Sequence, residues 1–195
     1  MKSGLQKGIG APSFRREDDR LLRGAGCYSD DFNLPGQLHA VMVRSPHAHA
    51  LVMNVDGNTA RAIAGVHAIL TGKEYRADGI GDICHTANPA GAKDWQNPAL
   101  VNRDGSEPFD RAQPTVVRDK VRHSGEIVAV VIAETEAIAR EAAELVQISY
   151  KVLPAVTDAM AALDAGGLDI WADCPGNVSL DAEIGDAAAT DAAFL

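Results

Sequence analysis

The sequence predicts an α+β fold in two lobes. Two strand–helix–strand runs, Ala50 to Leu70 and Ile127 to Val152, carry most of the apolar periodicity. Between them, residues from Arg76 to Pro114 are rich in Gly, Asn and Asp, contain Pro89, Pro98, Pro108 and Pro114, and show little periodicity. The junctions Val55 to Thr59 and Ala133 to Thr135 lack the glycine fingerprint of a dinucleotide fold, which excludes the doubly wound alternative.

The elements follow in order. Residues 1–12 are Gly-rich and form an N-terminal arm. Gly24-Ala-Gly26 has no third glycine and no preceding strand, so it is a turn rather than a phosphate loop. Leu34-Pro35-Gly36 is a second turn. The stretch Gly36 to Val55 organises the chain as two strands joined at Pro46, which cannot donate to a ladder. In the first, Val41 and Val43 share one face and Ala40 and Met42 the other, so both faces look covered. In the second, Leu51, Met53 and Val55 share one side, opposite Asn54. Thr59 to Ala64 is a short helix ended by Gly65, Val66 to Leu70 a third strand, and Thr71 caps a turn of helix over Gly72 to Tyr75. The 76–114 insertion is anchored by Trp95 and Phe109. Ile127 to Ile132 is an apolar run suited to burial on both faces. Thr135 caps a helix over Glu136 to Val146 with an apolar stripe of Ile138, Ala142, Leu145 and Val146. Gln147 to Val152 alternates as a strand, and Ala159 to Leu163 is a short helix closed by Gly166-Gly167.

Composition removes several functions. The net charge of −9 and the interleaving of Arg15, Arg16 and Arg20 to Arg23 with Glu17, Asp18 and Asp19 leave no basic patch for nucleic acid. No apolar run reaches the ~18 residues of a membrane span, and Met1 to Gly10 is no secretory signal. Cys27, Cys84 and Cys174 form no Cys-x-x-Cys, so a zinc or iron–sulfur site built by this chain is not expected. The odd count and missing signal point to a reducing, cytoplasmic setting.

Arg16-Glu-Asp18, Leu21-Leu-Arg-Gly24, Gly26-Cys-Tyr-Ser-Asp-Asp31, Leu34-Pro-Gly36, Leu38-His-Ala40 and Arg44-Ser-Pro-His-Ala-His49 occur in order and close together. Val121-Arg-His-Ser-Gly-Glu126, Ala142-Ala-Glu-Leu-Val146, Tyr150-Lys-Val-Leu-Pro-Ala-Val156, Pro175-Gly-Asn-Val178 and Gly185-Asp186 follow. Together they resemble the start of the large subunit of molybdenum hydroxylases: the xanthine dehydrogenase, aldehyde oxidase and carbon monoxide dehydrogenase family, the last branch most of all. The resemblance spans Pro12 to Asp186. It implies the α/β-hammerhead domain, a mixed sheet with crossing helices and a long Gly/Pro-rich insertion, over residues 13–165. Residues 166–195 would be a linker and the truncated start of the molybdopterin-binding region. The family's molybdopterin and catalytic glutamate lie beyond Leu195, so no catalytic, cofactor-binding or metal residue carries over. A fragment of a longer reading frame is expected over a genuinely split subunit. In the complete enzyme the resemblance implies molybdopterin on the rest of the large subunit, with iron–sulfur clusters and FAD on partners. The expected partners are that remainder and those iron–sulfur and FAD subunits, and a homodimer stays open.

Four groups of residues carry side chains capable of chemistry. His47 and His49 share a strand face at metal-ligand spacing, but a third ligand is missing and a structural turn is the plainer reading, one the resemblance also implies. Glu126 at the mouth of a buried strand could serve as a general base; the plainer reading is a tight bend at Gly125 with Glu126 paired to Arg122 or His123. Cys84-His85 could suggest a nucleophile and its base, yet adjacent loop residues seldom face each other. The Arg15 to Asp19 charges could dock a partner or simply be solvated. The expectation is a structural and docking domain that is inactive alone. A stand-alone interaction module is the alternative, and a small enzyme in its own right ranks behind both.

Overall fold

The computed structural model describes residues 9, 15–84, 101–164, 168–183 and 185–194. The chain divides into two units, Met1–Gln37 and Leu38–Leu195. The first holds α1 (Asp18–Leu22) and a 3-10 turn at Ser29–Asp31. Here Glu17 pairs with Arg20 at 3.6 Å and Asp19 with Arg23 at 2.6 Å, all well exposed. Such pairs add little stability in water.

The second unit holds β1 (His39–Arg44), β2 (Ala50–Asp56), α2 (Asn58–Arg61), β3 (Val66–Thr71), α3 (Gly72–Ala77), β4 (Lys120–Val121), β5 (Ile127–Ala133), α4 (Glu136–Glu144), β6 (Gln147–Val152), α5 (Ala159–Leu163) and α6 (Ala187–Ala193). The strands make two antiparallel sheets of three, ordered β1–β5–β3 and β4–β2–β6. The two strands around Pro46 therefore do not pair with each other; they enter different sheets. Nor do the two strand–helix–strand runs form separate lobes. β2–α2–β3 crosses from one sheet to the other, and β5–α4–β6 crosses back. Periodicity reports which residues are extended but not which strand lies beside which.

Capping follows the sequence closely. Thr71 accepts from the Lys73 amide at 3.3 Å while the Glu74 carboxylate accepts from the Thr71 amide at 3.0 Å, a reciprocal N-terminal box. The Thr71 hydroxyl holds the Glu74 carboxyl below its usual range. This contribution is present above the ordinary carboxylate range and fades as pH falls through it. Thr135 accepts from the Ile138 amide at 3.2 Å and opens α4. Thr135→Ala should lower the urea unfolding free energy by about 1 kcal/mol, while Thr135→Ser should stay close to wild type. Equal loss in both variants would remove the cap from the account.

One core lies between the β1–β5–β3 sheet and the α2 and α4 helices, with Ala60, Ile69, Ala129, Val131, Ala142 and Val146 buried. The other joins Ala50, Val117, Val121 and Val128, with Val52 and Tyr150 against them. Val55 and Ile148 touch both. Three expected faces are wrong. On β1 the Ala40 and Met42 face, expected to be covered, is exposed. A bulge between Val52 and Asn54 shifts the register of β2, so Val55 joins Ala50 and Val52 inside and Met53 is 63% exposed. On α4 the buried stripe runs through Ala139, Ala142 and Val146, and Leu145 points out. The helix ends at Glu144, so Leu145 and Val146 no longer follow the helical period.

Candidate functional site

The turn after β1 and the turn before β5 are locked together. Ser45, 2% exposed, donates its amide to the Glu126 carbonyl at 2.9 Å and accepts from the Gly125 amide at 2.9 Å. Its hydroxyl donates to the His47 carbonyl at 3.2 Å and accepts from the His47 amide at 3.1 Å, a serine turn. Arg44 Nη1 donates to the Gly125 carbonyl at 2.8 Å. Gly125 has φ +84°, a left-handed bend that an L side chain resists. Glu126 is 4% exposed, and its Oε2 accepts from the Arg122 amide at 2.6 Å. The expected bend at Gly125 is present. The Glu126 bond goes to the backbone of Arg122 rather than to its charge. A carboxylate so bound holds a turn closed.

The two imidazoles turn to different tasks. His49 Nδ1 lies 2.7 Å from the Pro154 carbonyl and so must carry the proton there; its Nε2 is buried with no partner among the described residues. His47 packs edge-on to Tyr150 at 4.9 Å between ring centroids. Burial pushes the Tyr150 phenol up, with Ser45 offsetting part of the shift. Cys84 is exposed, and His85 lies outside the described residues.

A cleft of about 510 Å³ opens beside Glu126, lined by Arg111, Gln113, Pro114, Arg122, His123, Ile170 and Trp171. The Arg122 guanidinium stacks 3.9 Å from the Trp171 ring centroid and donates to the Lys120 carbonyl at 2.9 Å. Arg111 Nε donates to Asp173 at 2.7 Å, and that bond holds the Asp173 carboxyl below its usual range. Phe109, expected as an anchor, packs at 6.2 Å on Trp171. Trp95, the other expected anchor, lies outside the described residues. Further along, Arg103 donates twice to Asp181, at 3.0 and 2.9 Å, and the Phe109 amide donates to the Ser179 carbonyl at 2.9 Å. The cleft is thus a seam where residues 101–113 are tied to residues 168–183. Arg122 was named in the sequence only as a partner of Glu126; Ser45, Arg111, Trp171 and Asp173 were not picked out. Ser45 before Pro46 carried a turn signal; the long-range ion pairs carried none.

The described residues do not fit a molybdopterin. Arg111 is bound to Asp173, Arg122 donates through Nη1 to the Lys120 carbonyl and stacks on Trp171 while its buried Nε has no partner among the described residues, and one Glu126 oxygen holds a backbone amide. Among the described residues no three His, Cys, Asp or Glu side chains converge as metal ligands. Nor is any described helix long and apolar enough to cross a membrane.

Comparison with known proteins bears on what this frame belongs to. Residues 23–154 match the model of the aldehyde oxidase and xanthine dehydrogenase a/b hammerhead domain. The nicotine 6-hydroxylase large subunit of Paenarthrobacter nicotinovorans is 36% identical over 158 residues, covering 81% of this chain and 17% of that protein. A putative xanthine dehydrogenase molybdenum-binding subunit of Escherichia coli is 34% identical over 143 residues, covering 73% of this chain and 17% of that protein. The structure of carbon monoxide dehydrogenase from Oligotropha carboxidovorans superposes with a TM-score of 0.69 at 29% identity, covering 96% of this chain and 22% of that one. The chain thus spans about a sixth of the length of these curated relatives. Its two antiparallel sheets, its helices and this match together place the chain in the α/β-hammerhead domain family of the molybdenum-dependent aldehyde oxidases and xanthine dehydrogenases.

Proposed function

We propose that this chain is the scaffolding and docking part of the large subunit of a molybdenum-dependent oxidoreductase, and that it has no reacting centre of its own. The observation that carries this reading is the extent of the match. The hammerhead domain accounts for residues 23–154, and the relatives devote most of their length to sequence that this chain does not cover. The side chains agree with such a role. Ser45, Glu126 and Arg122 are spent on backbone groups and Arg111 on Asp173, which gives a rigid frame.

In the complete assembly, the oxidation would take place where the rest of the large subunit binds molybdopterin. Iron–sulfur and FAD partners would carry the electrons away. The substrate is set by residues outside this chain. The purified 195-residue chain should bind no stoichiometric molybdenum and reduce no redox dye with purine, aldehyde, N-heterocycle or carbon monoxide. Metal analysis and a dye-reduction assay check this; bound molybdenum or turnover by the chain alone would overturn it.

A further inference from the structure

The β1–β5–β3 sheet has a second face. Met42, Val130 and Leu70 stand side by side in one row, and Ala40, Ile132 and Ala68 in the next. These rows point away from Ile69, Ala129 and Val131, which lie in the core under α4. No polar side chain stands in either row. Met42 is 44% exposed and Ala40 is exposed at the β1 edge, Ala68, Leu70 and Ile132 are half-buried, and Val130 between Met42 and Leu70 is 6% exposed. β5, which runs through the middle, is apolar from Ile127 to Ala133. That is the composition of a strand covered on both sides, and among the described residues a helix layer covers one side.

We propose that this face is the seat of the molybdenum-binding portion of the large subunit, joined to these residues in one polypeptide. The inference rests on the docking reading above and names the surface that does it. Size selects the occupant. Strands about 4.8 Å apart and side chains about 6.8 Å apart along each strand give a face on the order of 200–300 Å². A stable association of separate molecules buries roughly 800 Å² on each partner. A second copy or a freely diffusing protein would gain too little here to offset its lost translational and rotational freedom. A tethered segment carries no such cost. The relatives supply that segment in kind, since the matched region is 17% of their length.

Methionine oxidation by hydrogen peroxide reads the face directly at Met42. It is followed by mass spectrometry in the 195-residue chain and in the same residues joined to the molybdenum-binding portion of a large subunit from the same genome. Met42 should oxidise freely in the chain at every concentration and about tenfold more slowly in the joined polypeptide. Met42→Glu should leave the melting of the chain alone unchanged and lower that of the joined polypeptide. Equal oxidation in both would overturn the inference. Protection that grows with concentration of the chain, with a dimer on sizing, would assign the face to a second copy. Protection in the chain alone at every concentration would assign it to these same residues. If Met42→Glu fails to fold, the oxidation rates still decide. The docking reading has its own test: a large subunit lacking these residues that still holds molybdenum and turns over normally would sink that reading, whatever Met42 does.

Discussion

Gly72→Ala should unfold this protein more readily than alanine at any other described glycine. A Cβ at Gly72 would lie 2.3 Å from the Val117 carbonyl oxygen, 2.8 Å from its carbon and 2.9 Å from Arg118 Cα. All three are backbone atoms, so no rotamer can relieve the clash. Val117 cannot retreat, because its amide donates to the Ile127 carbonyl at 2.7 Å and its side chain is 2% exposed. Gly72 cannot retreat either, because the Thr71–Glu74 box fixes the first turn of α3. Overpacking of this kind costs about 3 kcal/mol or more. In a chain of this size that is a fall in Tm of about 10 °C. Gly81→Ala is the control, with nothing within 4 Å of its Cβ, and should melt as wild type. A Gly72→Ala melt that overlays wild type would mean that α3 and the Val117 segment do not cross as described.

Glu126→Ala should cost nearly as much. The carboxylate is 4% exposed and bound to the Arg122 amide at 2.6 Å, so its loss leaves a donor in the turn without its acceptor. Hydrogen bonds to a charged group contribute about 1.5–3 kcal/mol, and the orphaned partner puts the change at the upper end. Glu126→Gln keeps an acceptor oxygen and should lose less than half as much. Urea unfolding of the two variants checks this. If Gln and Ala are equally damaging, charge rather than the hydrogen bond to Arg122 is what the site needs. If neither matters, the turn is held by Ser45 and Gly125 without it.

Local signals in the sequence translated well. Thr71 and Thr135 sit at the caps expected of them, and β3, β5, β6 and α5 lie where their periods put them. These features depend on residues within one turn or one strand. Gly65 takes the left-handed φ +87°, but α2 already ends at Arg61 with Ala62 as its cap, so Gly65 turns the chain into β3 rather than closing the expected Thr59–Ala64 helix. Most of what failed depends on distance. The bulge in β2 reverses which of Met53 and Val55 faces inward, and it is set by pairing with β6 across the fold. The seam of Arg103 with Asp181 joins residues 78 apart. Nothing in the spacing of either residue announces the other. Glu126 was legible as structural; its actual partner, an amide four residues back, was not.

The exchange of strands between the two sheets has a consequence for synthesis. β1 and β3 find their only described partner in β5, and β2 finds its partners in β4 and β6. During translation, the first strands emerge from the ribosome with no ladder to join, and they stay bare until residues 120–152 appear. The nascent chain therefore passes through a window in which apolar β1 to β3 can be claimed by a chaperone or by a neighbouring nascent chain. Slowing elongation ahead of β5 should lower the yield of folded protein, whereas slowing it after β6 should not.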